Sequence, residues 1–260
     1  MKQPVFIVSP TPESGADTAQ RCLCALPRVR IYGETSFDAA FVRLVDPLFE
    51  TFISFARAFE GPTKGINRLI SEGKDISGEP LSAFTPSIDQ FKAGMKLMIE
   101  TTFAHADVWG FVSTGSAAHV QMLRVLFHDA LFVVTIRNPK EAFESWRGYS
   151  SEKQACAVIQ RSRDAYGSMF AADGKGEGRV LWIDWEEAKD KRLYLVKLFK
   201  FLGREIPRSA WSVFDKPMRE YKETQKPVLP AFAIGHAGHE LAEVYSAALR
   251  YAKAQAPREL

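Results

Sequence analysis

Leu131-Phe132-Val133-Val134-Thr135-Ile136 is an almost unbroken apolar run, β-branched through its second half, and it stops at Arg137-Asn138-Pro139. A strand without polar alternation is buried on both faces, as in parallel sheets covered by helices. Pro139 suits the first position of a helix beginning near Lys140, where its missing N–H has no intrahelical partner to lose. The local unit is therefore strand, turn, helix. Apolar runs at 5–8, 108–112 and 180–183 read as further strands. Helical patterns occupy 17–26 (ended by Pro27), 88–103, 117–126, 152–170, 193–202 (closed by Gly203) and 239–254. The aromatic stretch 37–59 breaks at Pro47 and reads as two helices. Residues 71–86 and 216–230 read as loops, and Asp173-Gly174-Lys175-Gly176 as a turn. Strands alternating with helices imply an α/β fold, a central parallel sheet flanked by helices. No repeat or linker interrupts it, so one domain is expected over 1–260.

Charge and cysteine content narrow the function classes. Lys and Arg total 34 against 31 Asp and Glu, a net charge of +3, which does not suit a protein that coats nucleic acid. Any anion site must come from local placement. No window holds the roughly 18 apolar residues that a membrane span needs. The apolar run at 4–8 meets Ser9-Pro10-Thr11-Pro12 at once, too soon for a signal-peptide core. Cys22, Cys24 and Cys156 form no even framework and no metal-ligand spacing. Reduced thiols in a cytoplasmic protein, with no bound metal, are the simplest expectation.

Two constellations carry chemistry. Ser14-Gly15 lies between the first strand and its helix, where a turn aims backbone N–H groups and the positive end of the helix dipole at an anion. No Gly-Lys-Ser/Thr follows, which counts against a P-loop kinase-like phosphotransferase. Arg137 lies at the carboxyl end of a parallel strand, the edge at which such sheets bind ligands. Ser145 follows in the next helix. A planar guanidinium and a hydroxyl converging on one spot make a phosphate clamp.

Together these segments resemble the sulfotransferase family, whose donor is 3′-phosphoadenosine 5′-phosphosulfate (PAPS). The family's first strand leads into Pro-Arg/Lys-Ser-Gly-Thr-Thr. Here Pro12-Glu13-Ser14-Gly15-Ala16-Asp17 takes that place, and Gln20-Arg21-Cys22-Leu23 continues in register. The second signature, Arg-Asp-Pro-Arg-Asp followed by Ser-Trp or Ser-Tyr, matches Arg137-Asn138-Pro139-Lys140-Glu141 and Ser145-Trp146. A later strand ending in Tyr-Glu-Asp is represented by Ile183-Asp184-Trp185-Glu186-Glu187. Phe201-Leu202-Gly203 matches the Phe-Leu-Gly that ends the following helix. The likeness runs from about Pro4 to Gly203.

The resemblance implies a P-loop NTPase-like sulfotransferase fold. It implies a 5′-phosphosulfate loop at Ser14, Gly15, Ala16, Asp17 and Thr18, and a 3′-phosphate clamp at Arg137 and Ser145. The implied reaction moves a sulfuryl group from PAPS to a hydroxyl or amine of a small-molecule or carbohydrate acceptor, without a metal. A homo- or hetero-oligomer is left open. Glu34, where relatives carry Gly-Glu, is the first candidate for the acceptor's base, with His119 and His105 behind it. Arg219, Lys222, Lys226 and Gly235-His236-Ala237-Gly238-His239 hint at a tail (216–260) packed over the nucleotide. Phenylalanines 37, 41, 49, 52, 55 and 59 suit either an acceptor pocket or a helix core face.

The chain departs from the family where charge matters. Glu13 stands at the position of the loop's cation, and Ala16 and Asp17 replace its threonines. Val112 stands where some relatives carry Lys after Trp-Gly-Phe. Carboxylates near an anionic leaving group repel it. Asp17 escapes that conflict if it caps the helix and turns away. The alternative reading is therefore a catalytically degenerate sulfotransferase-fold protein, a binding or partner subunit, or one with altered chemistry.

Overall fold

The computed structural model describes residues 3–11, 13–33, 54, 65, 68–75, 88–113, 117–145, 152–173, 179–215 and 231–255. Strands β1 (Gln3–Val8), β2 (Val29–Tyr32), β3 (Val108–Ser113), β4 (Leu131–Ile136) and β5 (Val180–Asp184) form one sheet in the order β2-β3-β1-β4-β5. Every neighbouring pair is parallel. Four of these strands follow from their apolar runs. The fifth, β2, has only four residues and an exposed Arg30 between buried Val29 and Ile31, and its sequence does not announce it.

Successive side chains of a strand face opposite ways, so each buried strand feeds two cores. Val5 and Ile7 of β1, with Val133, Leu181 and Ile183, pack against helices α1 (Ala16–Cys24) and, further on, Lys191–Phe201. The other face carries Phe6, Trp109, Phe111 and Phe132, whose rings meet one another and Phe127. Aromatic residues contribute the largest buried apolar areas and favour such edge and tilted contacts. Trp182 of β5 lies on this second face, stacked against Tyr166 and Phe170.

The chain divides into two compact units, residues 1–35 with 103–260, and residues 36–102. Within the second, α2 (Ile88–Phe103) buries Met95 and Ile99, one turn apart on one face. The helical residues 68–71 lead into a turn, and Arg68 pairs with Glu72 at 3.2 Å. The expected helices at 37–59 and most of the 71–86 loop lie outside the described residues.

In the first unit α3 (Ala117–Leu126), α4 (Pro139–Ser145), α5 (Glu152–Asp173), α6 (Lys191–Phe201), α7 (Arg208–Trp211) and α8 (Ala231–Ala254) complete the description. Helix α6 ends in a Schellman motif: Gly203, at φ 61°, donates to the Lys200 carbonyl and Arg204 to that of Phe199. Helix α8 starts earlier than its sequence pattern suggests. Gly235, His236, Ala237, Gly238 and His239 are helical, and Ala237 packs with Ala142 and Phe143 of α4. The end of α8 is fixed by polar groups. Gln255 accepts from the Trp182 N–H and donates to the Val180 carbonyl, both at 2.7 Å, closing the open edge of β5. Lys197, buried beneath it, donates to the Ala252 carbonyl at 2.7 Å and pairs with Glu187 at 2.8 Å. Among the described residues no helix is long and apolar enough to cross a membrane.

Candidate functional site

Helix α1 follows β1 on one face of the sheet, whereas α4 and α5 follow β4 toward the other. Since β1 and β4 are neighbours, their connections diverge and open a crevice at their carboxyl ends, the usual ligand position in an open parallel sheet. A pocket of 180 Å³ lies there, lined by residues 13–18 with Ser9, Arg137 and Trp185.

The loop has a constrained backbone. Glu13 and Gly15 both adopt left-handed conformations, at φ 55° and 92°. Gly15 is the N-cap of α1, and its carbonyl accepts from the N–H groups of Thr18 and Ala19 at 3.1 and 3.2 Å. A glycine has no side chain with which to cap the helix. No side chain therefore caps the first turn, whose leading residues Ala16 and Asp17 line the pocket at the positive end of the helix dipole. A methyl group at Gly15 would also overlap the Trp185 ring, which lies directly against the turn.

Ser14, Gly15, Ala16, Asp17, Thr18 and Arg137 all line this pocket. Arg137 donates from Nη1 to the Glu13 carbonyl at 3.1 Å, and its Nε lies 3.9 Å from a Glu141 carboxylate oxygen. Its helix is capped by Asn138, whose side chain accepts from the Lys140 N–H at 3.0 Å. Ser145 is the last residue of α4, and its side chain lies outside the described set. Ser14 is 1% exposed, its hydroxyl 2.7 Å from that of Ser9 and 2.9 Å from that of Thr135.

Asp17 is not the helix cap: Gly15 holds that position, and Asp17 sits exposed in the first turn. There its carboxylate suits the positive end of the helix dipole but would repel an anionic ligand in the pocket it lines. Glu13 is likewise exposed at the pocket. Val112 is 1% exposed and packs in the core beside Ile7 and Leu23, so its position on the strand supplies no charge to the pocket.

The candidate bases fall apart in space. Glu34 lies outside the described residues. His105 is exposed and precedes β3, on the amino-terminal edge of the sheet, roughly one strand length (~20 Å) from the pocket edge. His119 has no exposed surface, stacks on Phe111 at 5.8 Å and shares a 3.0 Å hydrogen bond with Ser113 Oγ through Nδ1. Burial lowers its pKa to about 4, so the ring is neutral near pH 7. It is not among the residues lining the pocket.

Sequence reasoning did not single out Trp185, Ser9 or Thr135 as site residues. An aromatic residue immediately after the carboxyl end of a parallel strand was the available signal for Trp185. Behind it, Asp184 accepts from the Glu186 N–H at 3.3 Å and from the Tyr245 hydroxyl at 3.4 Å. Burial raises the pKa of that carboxyl against the help of these bonds.

Among solved structures, the chain is similar to the crystal structure of sulfotransferase STF9 from Mycobacterium avium. The match has a TM-score of 0.53 and 11% sequence identity, and covers 96% of this chain and 76% of that one. This chain has a sulfotransferase-like fold. No protein-family model matches it, and neither does any curated protein. The likeness is one of fold, a central parallel sheet flanked by helices. Among the described residues no group of three or more His, Cys, Asp and Glu is arranged to hold a metal ion.

Proposed function

We propose that the pocket binds the nucleotide PAPS and that the chain transfers its sulfuryl group to a hydroxyl or amine of a small-molecule or carbohydrate acceptor. The reading is supported by two elements suited to an anion, the N-terminus of α1 and Arg137, lining one pocket of a sulfotransferase-like fold. Arg137 with Ser145 would hold the 3′-phosphate, and the N–H groups of the loop would hold the 5′ end. PAPS supplies an activated sulfuryl group on a phosphate leaving group. The protein's own task is to orient that group, spread its charge and accept the acceptor's proton. Glu34 keeps the proposed base role, because His119 is buried away from the pocket lining.

The fit is uneven. The 3′ half of the site has a guanidinium; the 5′ half has helix N–H groups but also two exposed carboxylates, Glu13 and Asp17. A second reading follows from that asymmetry: a nucleotide-binding protein of this fold that has lost sulfuryl transfer and serves as a binding or partner subunit. Parallel calorimetric titrations with PAPS and adenosine 3′,5′-bisphosphate, followed by a transfer assay across hydroxyl and amine acceptors, separate the two. Comparable binding of both with turnover supports the enzyme. Tight bisphosphate binding with PAPS at least about tenfold weaker and no turnover supports the second reading.

A further inference from the structure

Ser14 is the one hydroxyl-bearing residue of the loop that keeps the sulfotransferase pattern, yet its side chain is engaged inside the protein. Ser9 Oγ donates to the Thr11 carbonyl at 2.8 Å, which uses its single proton. The 2.7 Å contact between Ser9 and Ser14 therefore has Ser14 as donor, and the 2.9 Å contact between Ser14 and Thr135 has Thr135 as donor. The protons run in one direction: Thr135 to Ser14 to Ser9 to the Thr11 carbonyl. All four residues are at most 4% exposed. In that arrangement Ser14 has no proton left to give an anion.

Thr135 is also well placed along its strand. Its side chain is on the face of β4 that carries Val133, the one on which α1 packs, and Arg137 follows directly after the strand's end. The end of β4 thus reaches the loop twice, through the Thr135 hydroxyl to Ser14 and through the Arg137 guanidinium to the Glu13 carbonyl.

We propose that Thr135 is a positioning residue for the anion-binding loop. Through Ser14 it fixes residues 13–18 against the sheet, and it leaves the main-chain N–H groups, not the Ser14 hydroxyl, as the loop's donors to ligand. The ligand half of this inference rests on reading the pocket as a nucleotide site; the loop half does not.

The test uses the full chain with Thr135→Val, Thr135→Ser, Ser14→Ala and the Ser14→Ala/Thr135→Val double variant. Amide hydrogen exchange of residues 13–18 is followed without ligand, and adenosine 3′,5′-bisphosphate is titrated by calorimetry. Thr135→Val is expected to speed exchange in 13–18, and to weaken nucleotide binding, by about fivefold to tenfold. Thr135→Ser should stay within about twofold of wild type, and the double variant should bind no worse than Ser14→Ala alone. Wild-type exchange and binding in Thr135→Val would overturn the proposal, as would losses in the double variant that multiply, because Ser14 would then touch the ligand itself. Faster exchange in Thr135→Val with no nucleotide binding by wild type supports the positioning role and removes the nucleotide reading. Should Thr135→Val not fold, Ser14→Ala must loosen the same segment, and unchanged exchange there overturns the proposal.

Discussion

Arg137 Nη1 lies 3.1 Å from the Glu13 carbonyl oxygen and donates to it, so the guanidinium proposed to hold a phosphate also holds the loop. Two duties on one side chain separate in a ligand comparison. Arg137→Ala should weaken adenosine 3′,5′-bisphosphate by about a hundredfold but adenosine 5′-phosphate, which lacks the 3′ group, by only about threefold. Calorimetric titration of both nucleotides reads the difference. Equal losses would confine Arg137 to the loop.

Glu13 carries the second prediction. Its main chain is held in place while its exposed carboxylate borders the pocket, so exchanging the side chain alters charge more than loop geometry. Glu13→Arg should tighten PAPS by at least about tenfold and the bisphosphate by less, with Glu13→Gln intermediate. Unchanged or weaker PAPS binding would show that the carboxylate does not face the 5′ end.

Gly15 tests the loop's packing. A side chain there meets both a φ of 92° and the Trp185 ring. Gly15→Ala is expected to cost at least about 2 kcal/mol in urea unfolding, combining left-handed strain with overpacking. Trp185→Ala in the same chain should recover part of that loss by removing the overlap. No recovery would place the whole cost in the backbone.

His119 sets a pH dependence. Its folded pKa of about 4 lies below the ordinary 6.5, so the unfolded chain binds a proton that the folded chain refuses. Its contribution is complete above pH 6.5 and is lost as pH falls from there toward about 4, where it levels off. The loss should reach up to about 3 kcal/mol. In denaturant titrations across that window, His119→Phe should remove most of the slope. An unchanged slope would assign the acid sensitivity elsewhere.

The strands with unbroken apolar runs were legible because a buried parallel strand has no polar positions to blur it; β4 has the residue limits its run implies. Strand β2 was not legible, since an edge strand of four residues with Arg30 facing out resembles a loop. That loop and guanidinium share one pocket was suggested by the family resemblance alone, since the adjacency of β1 and β4 that brings them together is not written in either segment. Trp185 and Thr135 were not legible, because neither residue type signals a site until the strand order brings it beside Gly15 or Ser14. The glycines near 235–238 misled in the opposite sense. Glycine suggested a loop, but both glycines are helical in α8, and a side chain at either would find room, so nothing in the packing requires glycine there.

Whether the crevice between β1 and β4 holds a 3′-phosphorylated nucleotide, as the proposed function requires, is answered by a calorimetric titration of the folded chain with adenosine 3′,5′-bisphosphate. Saturable one-to-one binding that Arg137→Ala weakens by at least about tenfold is the expected result. A folded wild-type chain that takes up none of the nucleotide, or that binds it unchanged after Arg137→Ala, would contradict the claim.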